Sequence, residues 1–135
     1  MRIIKQYGLT KYDMAGVPTT PQMAIKPTIS KVEAAIQWME MTAADDSHGY
    51  DQVYRWGEKG DYDCSSAVIT AYEKAGVPLK SNGATYTGNL KQVALKLGFK
   101  DITSQVNLAT GEGLQRGDIL LNEVHHVAMY CGNGK

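Results

Sequence analysis

Several residue types that mark particular protein classes are scarce in this sequence. Its 135 residues include two cysteines, one phenylalanine and three histidines, and 14 Lys and Arg balance 14 Asp and Glu. Cys64 and Cys131 are too few and too far apart for a disulfide framework, and they form no paired CxxC zinc motif. The neutral overall charge argues against a nucleic-acid partner, which would require a clustered basic surface.

Long hydrophobic runs are scarce as well. No stretch approaches the roughly 20 apolar residues of a membrane-spanning helix, and the first residues lack the continuous apolar segment of a secretory signal. We therefore expect no membrane partner, and synthesis in the cytoplasm without a signal peptide. With 43% hydrophobic and 21% charged residues, the chain has the composition of one globular domain.

Proline is concentrated at one end of the chain. Pro18, Pro21 and Pro27 account for three of the four prolines and lie among Thr, Gln and Lys, which disfavours helix. The composition predicts that residues 1–29 form a poorly structured leader or linker and that residues 30–135 form the folded domain.

Helix signals flank the middle of the predicted domain. Ser30 begins an S-x-x-E capping box, and apolar residues recur at helical spacing over residues 31–44. A later helix is predicted over residues 86–97, with Thr85 or Thr87 as its cap.

The last third of the chain has strand patterns. Residues 99–103 are a candidate short strand, and residues 105–108 are either a strand or a loop. Residues 119–121 and 124–131 are the clearest strands, and the Gly-Asn-Gly at 132–134 is a strong hairpin turn.

A cysteine lies at the start of a further predicted helix. Asp63 is a suitable N-cap, and an apolar stripe follows Cys64 until Gly76 ends the helix. A thiol in the first turn of a helix lies near unpaired backbone N–H groups and the positive end of the helix dipole, which favour its thiolate form. We therefore predict that Cys64 is a catalytic nucleophile.

A nucleophilic thiol requires a neighbouring base, and the sequence offers three histidines. His48 lies in a polar loop, whereas His125 and His126 are adjacent on a predicted strand. Because successive strand residues face opposite sides of a sheet, only one of this pair can face Cys64. The pattern alone does not choose between them.

A zinc site is the alternative use of these residues. Cys64, Cys131, His125 and His126 have suitable ligand types, but adjacent histidines on one strand do not easily bind the same ion. We therefore expect neither a metal nor another cofactor. Cys131, which lies among apolar neighbours, is predicted to be a buried and unreactive thiol.

The segment 45–63 is polar and rich in glycine and aromatic residues. Such loops often line ligand sites, because rigid rings offer contact area at low entropic cost. Tyr54 and Trp56 either line such a site or plug the edge of the core, and the composition leaves both interpretations open.

Four short motifs follow one another along the chain. They are Tyr54, Trp56 and Gly57; Asp63, Cys64 and Ser65; Gly117 and Asp118; and His126, Val127, Tyr130 and Gly132. In this order they resemble the motifs of the NlpC-type papain-like hydrolases of bacterial cell walls. Residues 46–52 and 82–89 are similar to the phage lysin branch, which is described as N-acetylmuramoyl-L-alanine amidases.

The resemblance implies a fold and a reaction. The fold would be α+β and papain-like, with N-terminal helices packed on a small antiparallel sheet. The reaction would be hydrolysis of the N-acetylmuramoyl-L-alanine amide of peptidoglycan through an acyl-enzyme, with Cys64 as nucleophile and His126 as general base. The partner would be the stem peptide of bacterial peptidoglycan, reached at the cell wall after phage-mediated release.

The resemblance also implies a set of binding residues. Tyr54 and Ser65 would belong to the oxyanion region, together with the first backbone N–H groups of the Cys64 helix. Trp56 and Asp63 would line the substrate groove.

One departure from the family pattern affects the expected activity. The family has a third polar residue on the strand after the histidine strand, whereas this sequence stops at Lys135. Either another residue such as His48 orients the imidazole instead, or the domain is a truncated version that is weak or inactive. The missing strand would also leave an exposed sheet edge open to a strand of another chain. The alternatives are a γ-D-glutamyl-diamino acid endopeptidase of the same fold, or a non-catalytic fragment that binds wall peptides.

Overall fold

The computed structural model describes residues 1–5 and 30–134. Its helices and strands are β1 (Arg2–Lys5), α1 (Lys31–Ala44), α2 (Cys64–Lys74), α3 (Thr87–Lys96), β2 (Lys100–Asp101), β3 (Ile119–Asn122) and β4 (His126–Met129). Short 3₁₀ turns at Lys80–Asn82 and Thr103–Gln105 follow α2 and β2. Within these residues, no helix combines the length and the apolar character needed to cross a membrane.

The four strands form one sheet in the order β2-β1-β3-β4. Strand β1 is parallel to both β2 and β3, and only the β3–β4 pair is antiparallel. The expectation of an antiparallel sheet is therefore wrong for two of the three pairings. The reason is that β1 comes from the first residues of the chain, far in sequence from the strands it joins.

The prediction of a poorly structured leader is also wrong for Arg2–Lys5. Ile3 and Ile4 are both fully buried and alternate between the two faces of the sheet, which is the pattern of a strand inside a sheet. The remainder of that predicted segment, residues 6–29, lies outside the described residues.

An ion pair fastens β1 to the rest of the sheet. Arg2 Nε lies 3.0 Å from Asp118 Oδ1, and Arg2 Nη2 donates to the Gly113 carbonyl at 2.9 Å. Asp118 is buried and accepts the Gln115 N–H at 2.8 Å. Burial raises the pKa of Asp118, although the Gln115 N–H and the Arg2 charge act in the opposite direction. The Gly-Asp motif therefore has a structural role in this fold.

The predicted helix over residues 31–44 is confirmed, and Ser30 Oγ accepts the Glu33 N–H at 3.0 Å. For α3 the predicted threonine cap is wrong. Asn89 Oδ1 accepts the backbone N–H groups of Thr85 and Tyr86 at 3.0 and 3.2 Å, so the amide inside the first turn holds the preceding loop.

One strand prediction also needs correction. Strand β4 begins at His126 rather than at Val124, because Asn122 Oδ1 accepts the N–H groups of Val124 and His125 and forms a turn. Of the two interpretations left open for residues 105–108, the loop is confirmed, since a 3₁₀ turn at Thr103–Gln105 is followed by loop.

The core lies on both faces of the sheet. On one face, the three helices pack against alternate strand residues, which are Ile3, Ile119, Leu121, Val127 and Met129. On the other face, a smaller cluster contains Ile4, Ile102 and Val106. The buried Tyr72 of α2 connects helix to sheet, since its hydroxyl donates to the Gly117 carbonyl at 2.6 Å.

Candidate active site

Cys64 is the first residue of α2, as the sequence predicts. Asp63 Oδ1 accepts the Ser66 N–H at 2.8 Å, and Ser66 Oγ accepts the Asp63 N–H at 2.9 Å, so the helix start is capped reciprocally. Cys64 is buried against the core but retains 8% of its surface. Because the cap uses the Ser66 N–H, the first two N–H groups of the helix, on Cys64 and Ser65, remain outside the helical ladder near the thiol.

Arg55 braces this helix start from the preceding loop. Its Nη1 donates to both carboxylate oxygens of Asp63 at 3.1 and 3.2 Å and to Ser65 Oγ at 3.2 Å. Its Nη2 donates to the Thr85 carbonyl, just before α3. Asp63 and Ser65, which the resemblance assigns to the substrate site, are therefore engaged in holding α2 in place.

Trp56 is in contact with two cations. The Arg55 guanidinium carbon is 4.6 Å from the indole centroid, and Lys80 Nζ is 4.2 Å from it. The ring is half-buried and also packs on the main core cluster. Trp56 thus packs at the edge of the core while part of its surface is accessible.

Helix α2, which begins at Cys64, and strand β4, which begins at His126, contact each other. The Tyr72 hydroxyl donates to the Gly117 carbonyl, and the Gly117 N–H donates to the Tyr130 carbonyl at 2.7 Å. Gly117 therefore connects the last turns of α2 with the residue that follows β4.

Further contacts link the loop before α2 with the start of α3 and with the turn before β4. Thr87 Oγ1, in the first turn of α3, donates to the Glu123 carbonyl at 3.0 Å. Glu123 belongs to the turn before β4, and Thr85 is bound by the Arg55 brace. The starts of α2, α3 and β4 are thus connected around Cys64.

The two candidate histidines have different surroundings. His126 is 2% exposed and pairs with Asn122, whereas His125 is exposed in the turn. Val127 and Met129 belong to the same core cluster as Cys64, so strand alternation directs His126 to the opposite face. The register alone does not select His126, and its role as base stays a prediction carried by the resemblance.

Tyr50, which the sequence did not single out, adjoins the thiol. Its hydroxyl is a hydrogen-bond neighbour of both the side chain and the backbone N–H of Cys64. Partial burial, followed by the charge of the Cys64 sulfur and a hydrogen bond to it, raises the pKa of Tyr50. The signals in the sequence were its place in an aromatic loop and in the stretch 46–52 that resembles the phage lysin branch. The contact itself was not predicted, because it requires that loop to fold back on α2.

Tyr54, which the resemblance places near the cysteine, has other contacts. Its N–H donates to Asp51 Oδ1 at 3.0 Å, and Lys59 Nζ lies 3.7 Å from its ring centroid. The side chain is 44% exposed. These contacts hold Tyr54 on the outer surface of the loop.

His48 is bound within its own loop. Nδ1 contacts the Gly60 carbonyl, and Nε2 lies 3.6 Å from Asp45 Oδ2. Both ring nitrogens therefore have partners within the loop. These contacts do not support the hypothesis that His48 orients His126.

Cys131 contrasts with Cys64. It is 3% exposed, and burial, reinforced by the nearby Glu40 carboxylate, raises the pKa of Cys131 to about 11. Both cysteines are free. Within residues 1–5 and 30–134, no group of three or more His, Cys, Asp or Glu side chains could hold a metal ion.

One comparison with known proteins gives a match. The model of a family described as an endolysin-like domain matches residues 55–135, which include Cys64 and His126 but not Tyr50. No curated protein and no solved structure matches the chain. The endolysin-like part of the resemblance is confirmed, whereas the NlpC-type subtype stays a prediction.

Proposed function

Since the chain belongs to the endolysin-like domain family, we propose that it cleaves the N-acetylmuramoyl-L-alanine amide of bacterial peptidoglycan with Cys64 as nucleophile. The observation that carries this proposal is the position of Cys64. It is the first residue of a reciprocally capped helix, retains an accessible edge, and lies within the matched segment. A structural thiol would gain nothing from this position, as the fully enclosed Cys131 illustrates.

The proposed reaction is acyl transfer to sulfur and then to water. The Cys64 thiol gives its proton to the imidazole, and the resulting thiolate attacks the lactyl carbonyl carbon. A C–S bond forms, and the carbonyl electron pair moves to oxygen. The Ser65 N–H, in the first turn of α2, would stabilise that oxyanion. When the intermediate collapses, the C–N bond breaks and the alanine nitrogen takes a proton from the imidazolium.

The second half of the reaction restores the thiol. A water molecule gives a proton to the imidazole and attacks the thioester carbonyl, and the C–S bond then breaks. We assign the imidazole to His126 from the family motif alone. Because strand alternation directs its side chain away from the core cluster of Cys64, the adjacent His125 is compared with it below.

The test is release of amino groups from purified cell walls. We expect the unaltered chain to release them and Cys64→Ala to abolish release, whereas the matched variant Cys131→Ala should retain it. Activity should also survive a chelator and disappear with iodoacetamide. Equal activity of Cys64→Ala and the unaltered chain would refute the proposal.

Mass analysis of the released fragments identifies the bond. Free N-terminal alanine on the stem peptide indicates the amidase, and a new N-terminal diamino acid indicates the endopeptidase instead. His126→Ala should reduce release at least a hundredfold, given the usual contribution of about 10² to 10⁴ from a general base. His125→Ala is the neighbouring control, and a larger loss in this variant would transfer the role of base to His125.

A further inference from the structure

The loop before α2 carries its tyrosines at fixed positions relative to the helix. Tyr50 forms a β-bridge with Tyr62, in which the Asp51 N–H donates to the Tyr62 carbonyl at 3.1 Å and the Tyr62 N–H donates to the Gly49 carbonyl at 3.2 Å. Tyr62 directly precedes the Asp63 cap. The bridge therefore sets Tyr50 beside the first residue of α2.

Tyr62 itself is firmly held. Its ring meets Trp38 edge-on, with centroids 5.3 Å apart and planes at 90°. A Cβ at Gly57 would lie 2.6 Å from the Tyr62 hydroxyl, so the loop backbone closes directly over this ring. The backbone of Tyr50 is therefore bridged to a well-packed residue, Tyr62, although 52% of the surface of Tyr50 is exposed.

We infer that the Tyr50 hydroxyl is a catalytic hydrogen-bond donor to the Cys64 sulfur and occupies the place that the resemblance assigns to Tyr54. The inference rests on the proposed function, because it concerns the same nucleophile. It goes beyond the family match, which begins at residue 55.

The chemistry of a phenol suits this role. A phenol has an ordinary pKa of about 10 and therefore keeps its proton at neutral pH, so it can donate that proton in a hydrogen bond. Partial burial and the neighbouring sulfur raise the pKa of Tyr50 further. A hydrogen bond to an anion is stronger than one to a neutral group. The donor therefore stabilises the thiolate, which is the attacking form.

Asp63 and His126, the other polar side chains considered around the sulfur, have roles of their own. Asp63, which directly precedes Cys64, is paired with Arg55 at 3.1 Å. His126, the base of the proposed function, is the first residue of β4. Tyr50 supplies the neutral donor in this set, whereas the contacts of Tyr54 are with Asp51 and Lys59.

The test combines alkylation with cell-wall cleavage. In Tyr50→Phe, which keeps the ring, we expect iodoacetamide to modify Cys64 about tenfold more slowly at pH 7, with the alkylation profile moved to higher pH, because a hydrogen bond to a charged group is lost. Amino-group release should fall by about 10- to 100-fold. Peptide mapping separates Cys64 from Cys131.

Two further variants decide the assignment. Tyr130→Phe is the matched control, since its hydroxyl accepts the Gly134 N–H at the far end of β4, and it should leave both rates unchanged. Tyr54→Phe should reduce the Cys64 alkylation rate and the amino-group release less than Tyr50→Phe does. An unchanged Cys64 alkylation rate in Tyr50→Phe, or an equal or larger loss in Tyr54→Phe, would overturn the inference.

The alkylation readout needs no substrate, so it separates two kinds of failure. If Cys64→Ala retains cleavage, the proposed function fails. If Cys64→Ala is inactive and Tyr50→Phe behaves like the unaltered chain, only the role of Tyr50 fails. Thermal unfolding of each variant verifies that the loop remains folded.

Discussion

Replacing Asp63 should destabilise the fold and, through it, the position of Cys64. The carboxylate caps α2 by accepting the Ser66 N–H at 2.8 Å and receives Arg55 on both of its oxygens. Two variants separate these roles. Asparagine keeps a capping oxygen but removes the charge, whereas alanine removes both.

The magnitudes follow from the two contacts. Loss of the cap costs about 1 kcal/mol. Loss of the half-buried pair with Arg55 costs about 1–2 kcal/mol, between the values for an exposed ion pair and for a hydrogen bond to a charged group. We therefore expect about 1–2 kcal/mol for Asp63→Asn and about 2–3 kcal/mol for Asp63→Ala. At this chain length, 1 kcal/mol corresponds to roughly 3 °C in Tm.

Denaturant unfolding measures these losses, and cell-wall cleavage measured well below Tm reports on the site. Both variants should lose activity, and alanine should lose more, because the helix start carries the nucleophile. If Asp63 instead lines the substrate groove, Asp63→Asn would lose activity at unchanged stability. Unfolding midpoints equal to that of the unaltered chain in both variants would refute the structural role.

Two other predictions concern the scaffold. In Gly117→Ala the new Cβ would lie 2.3 Å from Val32 Cγ1 at a φ of +98°, which should cost about 2–4 kcal/mol. Gly134→Ala is the control, since Gly134 has a φ of +76° but a Cβ there would have no atom within 4 Å. An equal loss of unfolding free energy in the two variants, measured by denaturant unfolding, would contradict the packing argument. Hydrogen bonds from Thr103 lower the pKa of Asp101 to about 2, below its unfolded value, so this carboxylate stabilises the fold above about pH 4. That contribution is lost as the pH falls toward 2. In Asp101→Asn the free energy of unfolding should therefore decline less steeply as the pH is lowered. An unchanged pH dependence would refute the contribution.

Local signals predicted the helices well, and distant pairing explains most of the errors. The Ser30 and Asp63 caps act over three or four residues, so the starts of α1 and α2 could be read directly. Strand β1 could not, because a four-residue strand of Arg, Ile, Ile and Lys becomes recognisable only beside strands about a hundred residues away.

The candidate site divides in the same way. Cys64 was predicted because its surroundings are set by its own helix. Tyr50 was missed because its contact with Cys64 depends on the bridge between residues 50 and 62, for which the loop composition gives no pattern. The preference for His126 over His125 came from a motif, and the observed register does not replace that argument.

The two aspartates of the family-like motifs show that a motif can report on scaffold as well as on chemistry. Asp63 joins the loop to α2 through Arg55, and Asp118 joins β1 to β3 through Arg2. Neither carboxylate is free to act as a base while it holds its arginine. A loss of activity on substituting either aspartate must therefore be corrected for unfolding before it is assigned to the reaction. The groups left to move protons in the proposed mechanism are the Cys64 thiol and the His126 imidazole, with the Tyr50 hydroxyl as a donor that keeps its proton.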